Sequence, residues 1–445
     1  MAGKNPFKMR IRKYSKNHYP GSGNLLSFPW VFSKIFSSEA YDVLRNTNFR
    51  WYMLGRFLLQ LGLQIQTVAV GWQVYELSKD PLALGLVGLA EVIPAVGSAL
   101  FAGYIVDRSD RRTILTFAQS LSVLLLAYLG CLTYMNPNPA THVKLIYCGI
   151  FVGGIARAFF ATSAFAFFGQ IIRRPQYVRA SAWNSTLWQT ASLLGPACAG
   201  FLYAALGPDR VYRVGAILAL ASLICILRIP KQGKILEEVK SPLLENLFQG
   251  VRFVLGHRLI FSAISLDLIG VLFGGAIALL PIFASDILKV GPQGLGILRA
   301  APAIGAGIMV VVFSHYPPKK RAGNLFIFSM IGFGLCMLAF GFSKSFYFSV
   351  FILAMSGALD SVSVVVRSAI LQLSTPDSMR GRVSAVNSIF ISSSNELGAF
   401  ESGVAAKLFG VIPSVILGAC ITMSFAFASL RIFPALRKLD ISKLE

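Results

Sequence analysis

Nine ionisable side chains interrupt long apolar stretches of this 445-residue sequence: Arg56, Glu91, Arg157, Asp267, Arg299, Asp360, Arg367, Glu396 and Glu401. A charge at the centre of a membrane helix costs about 2.5–3.5 kcal/mol, so each must meet a partner or a wet cavity. A carboxylate held there can take up and release a proton at a pH set by burial and neighbouring charge. Other chemistry is poorly supplied. The four histidines (His18, His142, His257, His315) have no ligand spacing, and the six cysteines stand singly in apolar runs. They predict small buried hydrophobes, with no metal site, disulfide framework or cofactor. No GxxxxGK[ST] phosphate loop occurs, so an ion gradient is the expected source of energy for any work done. Aromatic and amide side chains supply a candidate binding surface: Trp72, Phe160, Trp188, Asn184 and Gln189, with Gln60 and Gln64 one helical turn apart on a shared face.

The elements that must position these groups follow from hydropathy. The chain is 55% hydrophobic and 13% charged, against roughly 45–50% and 25% in soluble domains. A soluble globule, a disordered chain and a nucleic-acid-binding domain are excluded on that ground. Twelve apolar runs are long enough to span about 30 Å of hydrocarbon as helices: about 49–76, 82–106, 113–134, 143–170, 177–206, 209–229, 258–284, 294–315, 323–343, 345–372, 381–409 and 411–433. The expected fold class is an all-α polytopic membrane protein of two six-helix bundles, 49–229 and 258–433. A basic arm (1–48), a central linker (230–257) and a tail (434–445) flank them. No secretory signal is recognised in the arm, which is expected to stay in the cytosol. With both termini inside, cytoplasmic segments carry 30 of the 41 Lys and Arg, so the net charge of +22 reads as a topology signal and as contact with anionic lipid. Nucleic acid is not an expected partner.

The two halves repeat. Residues 179–200 match 382–403 at 8 of 22 positions, an offset of 203 that also sets Gly154 on Gly357. Residues 88–97 match 296–305 at 4 of 10, including Pro94 on Pro302. These offsets map Arg157 onto Asp360 and Glu91 onto Arg299, two pairs of opposite charge. Parallel repeats of this kind are a transporter architecture, with substrate bound near the midplane between the halves.

The loop after the second run reads GYIVDRSDRR, with Gly103, Asp107, Arg108, Arg111 and Arg112. It resembles the signature loop of the major facilitator superfamily, with Asp110 in place of a usual glycine. The strings VAVGWQVYELSKDPLALGLVGLAEVIPA, LLPIFASDIL and RGRVSAVNS extend the resemblance to the drug:proton antiporter branch that includes enterobactin and macrolide exporters, often labelled transmembrane secretion effectors. In the fifth run SLLGPACAG (Gly195, Pro196, Gly200) resembles the shortened antiporter motif, whose Gly-Pro bend lets helices approach closely. The eleventh run has Ala399 where that proline would recur.

The resemblance implies a gating loop, Asp107 accepting from the start of helix 11, where exposed N–H groups favour an anion. It implies a cavity lined by helices 1, 4, 7 and 10, with Arg157 and Asp360 facing one another and Asp360 as a protonation site. A permanent structural ion pair is the competing reading. Helices 2 and 11 adjoin in such a fold, which brings Glu91 near Glu401 as like charges sharing a proton. Glu396 and Asp267 compete for the coupling role. Arg56 and Arg367 are expected to snorkel to the cytoplasmic interface. The function implied is export of a small amphipathic molecule, siderophore or drug-like, by proton-coupled alternating access of a monomer in the bacterial inner membrane. The alternatives are import or flipping of a nutrient or lysolipid, a receptor without turnover, and a membrane enzyme. The last lacks any His/Asp or metal constellation.

Overall fold

The computed structural model describes residues 41–231, 243–316, 318, 321–376, 379–437 and 439–440. Most of the basic arm, part of the central linker and most of the tail lie outside the described residues. The long helices are α1 (Thr47–Ser78), α2 (Pro81–Arg108), α3 (Arg111–Met135), α4 (Pro139–Ile171), α5 (Tyr177–Leu206) and α6 (Pro208–Leu227). They continue with α7 (Arg258–Ile287), α8 (Gly291–His315), α9 (Ala322–Phe342), α10 (Phe346–Ser374), α11 (Arg380–Phe409) and α12 (Val411–Ile432). A shorter linker helix, Leu243–Gly256, lies between α6 and α7.

Local chemistry explains where the helices begin and stop. Asn46 caps α1 by accepting from the amides of Asn48 and Phe49, and the helix ends at Lys79 in a left-handed conformation. Asp80 then caps α2, with Pro81 in its first turn, where the missing N–H costs nothing. Asn138 and Pro139 repeat that arrangement at α4.

Ten of the twelve long helices are apolar enough to cross a membrane. The other two, α5 and α11, are as long but fall below that measure of apolarity. Both are 30 residues long, but α5 carries Arg179, Asn184 and Gln189, and α11 carries Arg380, Arg382, Asn395, Glu396, Glu401 and Lys407.

The run expected as one helix over 258–284 is also broken. It is α-helical to Gly274, passes through a 3₁₀ turn at Ala276–Leu279 and closes in a π turn at Phe283–Ile287. Gly275 has φ −87° and ψ 92°, outside the helical region, and its carbonyl accepts from Ser402 Oγ of α11 at 3.2 Å.

The repeat is visible in the packing. A Cβ on Gly154 of α4 would stand 2.3 Å from the Glu91 carbonyl oxygen of α2, and one on Gly357 of α10 would stand 2.0 Å from that of Pro302 of α8. The two halves meet along α2–α11 and α5–α8. At those crossings Gly403 lies against Gly85 and Gly200 against Gly296, close enough that an added Cβ would come 2.8–2.9 Å from the facing Cα. Gly200 and Gly403 are themselves 203 residues apart, the offset found in the sequence.

Candidate functional site

Between the halves lies a cavity of about 930 Å³. It runs along α1 from Gly71 to Tyr52 and is lined also by α2, α4, α5, α7, α8, α10 and α11. At the end bearing the α1–α2 turn the halves are tied together. The Tyr75 hydroxyl of α1 donates to Asp286 of α7, and Lys407 of α11 donates to Asp80 at 2.8 Å. Tyr203 of α5 donates to Glu76 at 3.1 Å and seats its ring edge-on to Trp72. Toward the other end the wall carries Phe165, 82% exposed, and Trp188, 50% exposed.

Three charged residues join at mid-cavity. Arg157 of α4 donates to Glu91 of α2 at 2.8 Å and to Glu396 of α11 at 3.1 Å, so one guanidinium bridges the two halves. Their side chains retain 20–46% exposure, which leaves them open to cavity water. The pseudo-symmetric pair is not made. Arg299 and Asp360 both line the cavity, yet Arg299 interacts electrostatically with Glu396, its Nε has no hydrogen-bond partner among the described residues, and Asp360 forms no ion pair among them. Arg157 thus shares the cavity with Asp360 but is partnered elsewhere.

The like-charge neighbour of Glu91 is Glu396, which corrects the expected pairing with Glu401. Antiparallel packing sets Gly88 against the Glu396 carbonyl and Gly85 against Phe400. Glu401 lies five residues beyond Glu396, about 140° further round the helix, and does not line the cavity.

Arg367 and Arg56 also depart from expectation. Arg367 of α10 is buried in an ion pair with Asp267 of α7, both side chains at or below 6% exposure, and Ser363 Oγ lies 3.4 Å from the same carboxylate. It does not snorkel, because that carboxylate lies on the adjoining helix. Arg56 turns into the cavity, where its Nη1 donates to the Tyr52 hydroxyl at 3.3 Å and its guanidinium lies 5.6 Å from the Phe160 ring centroid.

Of the remaining binding candidates, Gln60, Gln64, Phe160, Asn184 and Trp188 line the cavity, while Trp72 and Gln189 do not. Tyr52, Thr67, Phe333 and Asn395 line it without having been anticipated. Nothing in their residue types marks them, since only helix rotation decides which side is wet. In the α5 motif Gly195 brings the helix onto α1, where an added Cβ would meet Gln64 Cβ at 2.4 Å. Pro196 stands within the helix, and its carbonyl faces Gly296 of the other half.

In the loop between α2 and α3, Gly103 and Asp107 lie in the last turns of α2, and Arg108 stacks on Tyr104 with its Cζ 4.1 Å from the ring centroid. Arg111 donates to the Ala166 carbonyl at 3.3 Å, and Arg112 to those of Ile226 and Leu227 at 3.3 and 2.7 Å. Two arginines thus satisfy carbonyls near the C-terminal ends of α4 and α6, where a cation is favoured. Asp110 occupies the cap position of α3 with φ −65°, a conformation that needs no glycine.

The sequence profile of transmembrane secretion effectors matches residues 38–445. The chain belongs to the transmembrane secretion effector family of the major facilitator superfamily. It is 26% identical over 348 residues to the enterobactin exporter EntS of Shigella flexneri, an alignment covering 76% of this chain and 80% of that one. The fold is that of a crystallised D-xylose–proton symporter, at TM-score 0.69 and 14% identity over 88% of this chain and 99% of the other. A POT family transporter in complex with 5-aminolevulinic acid gives TM-score 0.69 at 10% identity, over 87% and 96%. The chain is therefore a multi-pass membrane transporter.

Proposed function

We propose that this transporter exports a small amphipathic molecule, siderophore-like or drug-like, in exchange for protons across the bacterial inner membrane, acting as a monomer with both termini in the cytoplasm. The observation that carries the reading is the Arg157–Glu91–Glu396 cluster, an exposed charge bridge between the two halves inside the cavity. Two carboxylates share one guanidinium there. A proton arriving on Glu396 cancels its attraction to Arg157 and removes the bridge at the step where the halves must rock apart. Arg299, already interacting with Glu396, and Asp360, without an ion pair among the described residues, form the second set of charges to be satisfied in the opposite state. One inward charge at about 100 mV releases about 2.3 kcal/mol, enough for a gradient of roughly fortyfold.

With the termini cytoplasmic, the tied end is external and the cavity opens inward, ready to load cargo. The gating loop around Asp107 then lies on the inner side, where it closes against α11 once the external ties open. The relative that exports enterobactin supports the direction and the siderophore class.

The test compares spent medium from a deletion strain, its parent, and strains carrying Glu396→Gln or Asp360→Asn, grown with and without iron, by untargeted mass spectrometry. Export predicts a chelator missing outside and accumulating inside the deletion strain, with at least about a tenfold loss of export in Glu396→Gln. Unchanged iron-limited profiles remove the siderophore class and turn the test to drug-susceptibility panels. A solute depleted from medium by the parent alone would establish import instead.

A further inference from the structure

Two cations lining the cavity, Arg56 and Arg299, form no ion pair among the described residues, and Arg299 still interacts with Glu396. Arg56 lies nine residues into α1, lines the cavity, and has no carboxylate within 4 Å among the described residues. Of its five N–H donors only the one to the Tyr52 hydroxyl is engaged among the described residues. A charge at that depth is retained against its cost when it meets a partner during the working cycle.

The guanidinium is also held in place. Tyr52 is fully buried, its hydroxyl donates to the Ala164 carbonyl at 2.8 Å, and its ring packs against Phe167 and Phe168 at 5.9 Å. The Arg56 Cζ lies 5.9 Å from the Tyr52 ring centroid and 5.6 Å from that of Phe160. Aromatic rings thus hold the guanidinium while most of its donor edge stays free. Such a planar fork matches the two oxygens of a carboxylate or phosphate.

The surrounding wall indicates what lies beside that acid. Phe165 and Trp188 present large aromatic surfaces to the cavity. Flat rings at open positions favour stacking with a planar unsaturated group. Of the three carboxylates that line the cavity, Glu91 and Glu396 are engaged by Arg157, and Asp360 forms no ion pair among the described residues.

We propose that Arg56 is the specificity-determining residue of the cavity, binding an acidic group on a transported molecule whose planar, aromatic part lies on Phe165 and Trp188. The inference rests on the reading of this cavity as the transport path, and its test is kept separate from that of export.

Binding of 2-naphthoate and of its neutral counterpart 2-naphthamide is measured by calorimetry on the full chain in lipid nanodiscs. The wild type is expected to bind the acid at least about tenfold more tightly than the amide, the scale of one charge-assisted hydrogen bond. Arg56→Gln brings the acid down to the affinity of the amide and leaves the amide unchanged, which also shows that the variant folds. Trp188→Ala weakens both probes alike. Equal binding of the two probes by the wild type, binding of neither, or a preference that survives Arg56→Gln overturns the proposal. Where Arg56→Gln does not fold, Arg56→Lys takes its place and is expected to reduce the preference for the acid, because a point charge cannot match both carboxylate oxygens. A naphthoate preference with unchanged spent-medium profiles would remove the siderophore class and leave the role of Arg56 standing.

Discussion

At the scale of single residues, the charges sort by water. Asp267 and Arg367 sit in a dry α7–α10 interface, where removing one partner strands the other. Arg367→Leu should therefore destabilise the protein by about 3–5 kcal/mol, while the double variant Asp267→Asn/Arg367→Leu recovers most of that loss. Thermal melting of the purified protein in detergent checks this, and a double variant no better than the single one would contradict it. The mid-cavity cluster is different. Its members keep water contact, so its net contribution to stability is modest, about 0–1 kcal/mol. Arg157→Gln should consequently melt near the wild type and yet lose pH-gradient-driven efflux, a separation read by pairing the melt with a transport assay in everted vesicles.

At the scale of helices, the crossings set how tightly the halves can close. A Cβ at Gly200 would stand 2.4 Å from the Pro292 carbonyl oxygen, and one at Gly403 would stand 3.0 Å from that of Pro81. Overpacking at such contacts typically costs about 1–3 kcal/mol, here charged to the closed end alone. Gly200→Ala should thus shift the population away from the observed state by roughly tenfold, with little change in the amount of protein in the membrane. Distance measurements between spin labels on α2 and α8 at that end would report it, and an unchanged distance distribution would refute it. The broken segment of α7 belongs to this scale as well. Its 3₁₀ and π turns place Asp286 where Tyr75 can reach it, a position that a continuous helix would rotate away.

At the scale of the molecule, closure of the tied end depends on two side-chain links of different chemistry, one hydroxyl–carboxylate and one ammonium–carboxylate. Tyr75→Phe with Lys407→Met should open that end. The measurement is labelling of a cysteine introduced at Thr67, in a background lacking native cysteines, by an impermeant thiol reagent added outside intact cells. The double variant should label several times faster than its parent, and an equal rate would show that the glycine crossings hold the end shut without help from either link.

Much of this was legible in the chain itself. Hydropathy alone located the helices to within a few residues, because crossing lipid demands long apolar stretches whatever surrounds them. The repeat was legible too, since Gly154 and Gly357 admit a neighbouring backbone and a side chain at either would be refused. The charged residues of the cavity were visible as a set, because a charge in an apolar run is costly wherever it points. Their partners were not. Whether Arg157 meets Asp360 or Glu396, whether Glu91 faces Glu396 or Glu401, and whether Arg56 reaches lipid or cargo are matters of helix rotation and register. A turn of 100° per residue moves a side chain from interface to cavity without altering the apolar pattern. Composition and spacing made this chain a two-fold-repeated membrane transporter. Only the packing of α2 on α11 and of α1 on α5 decided which of its charges pair and which line the cavity without an ion pair among the described residues.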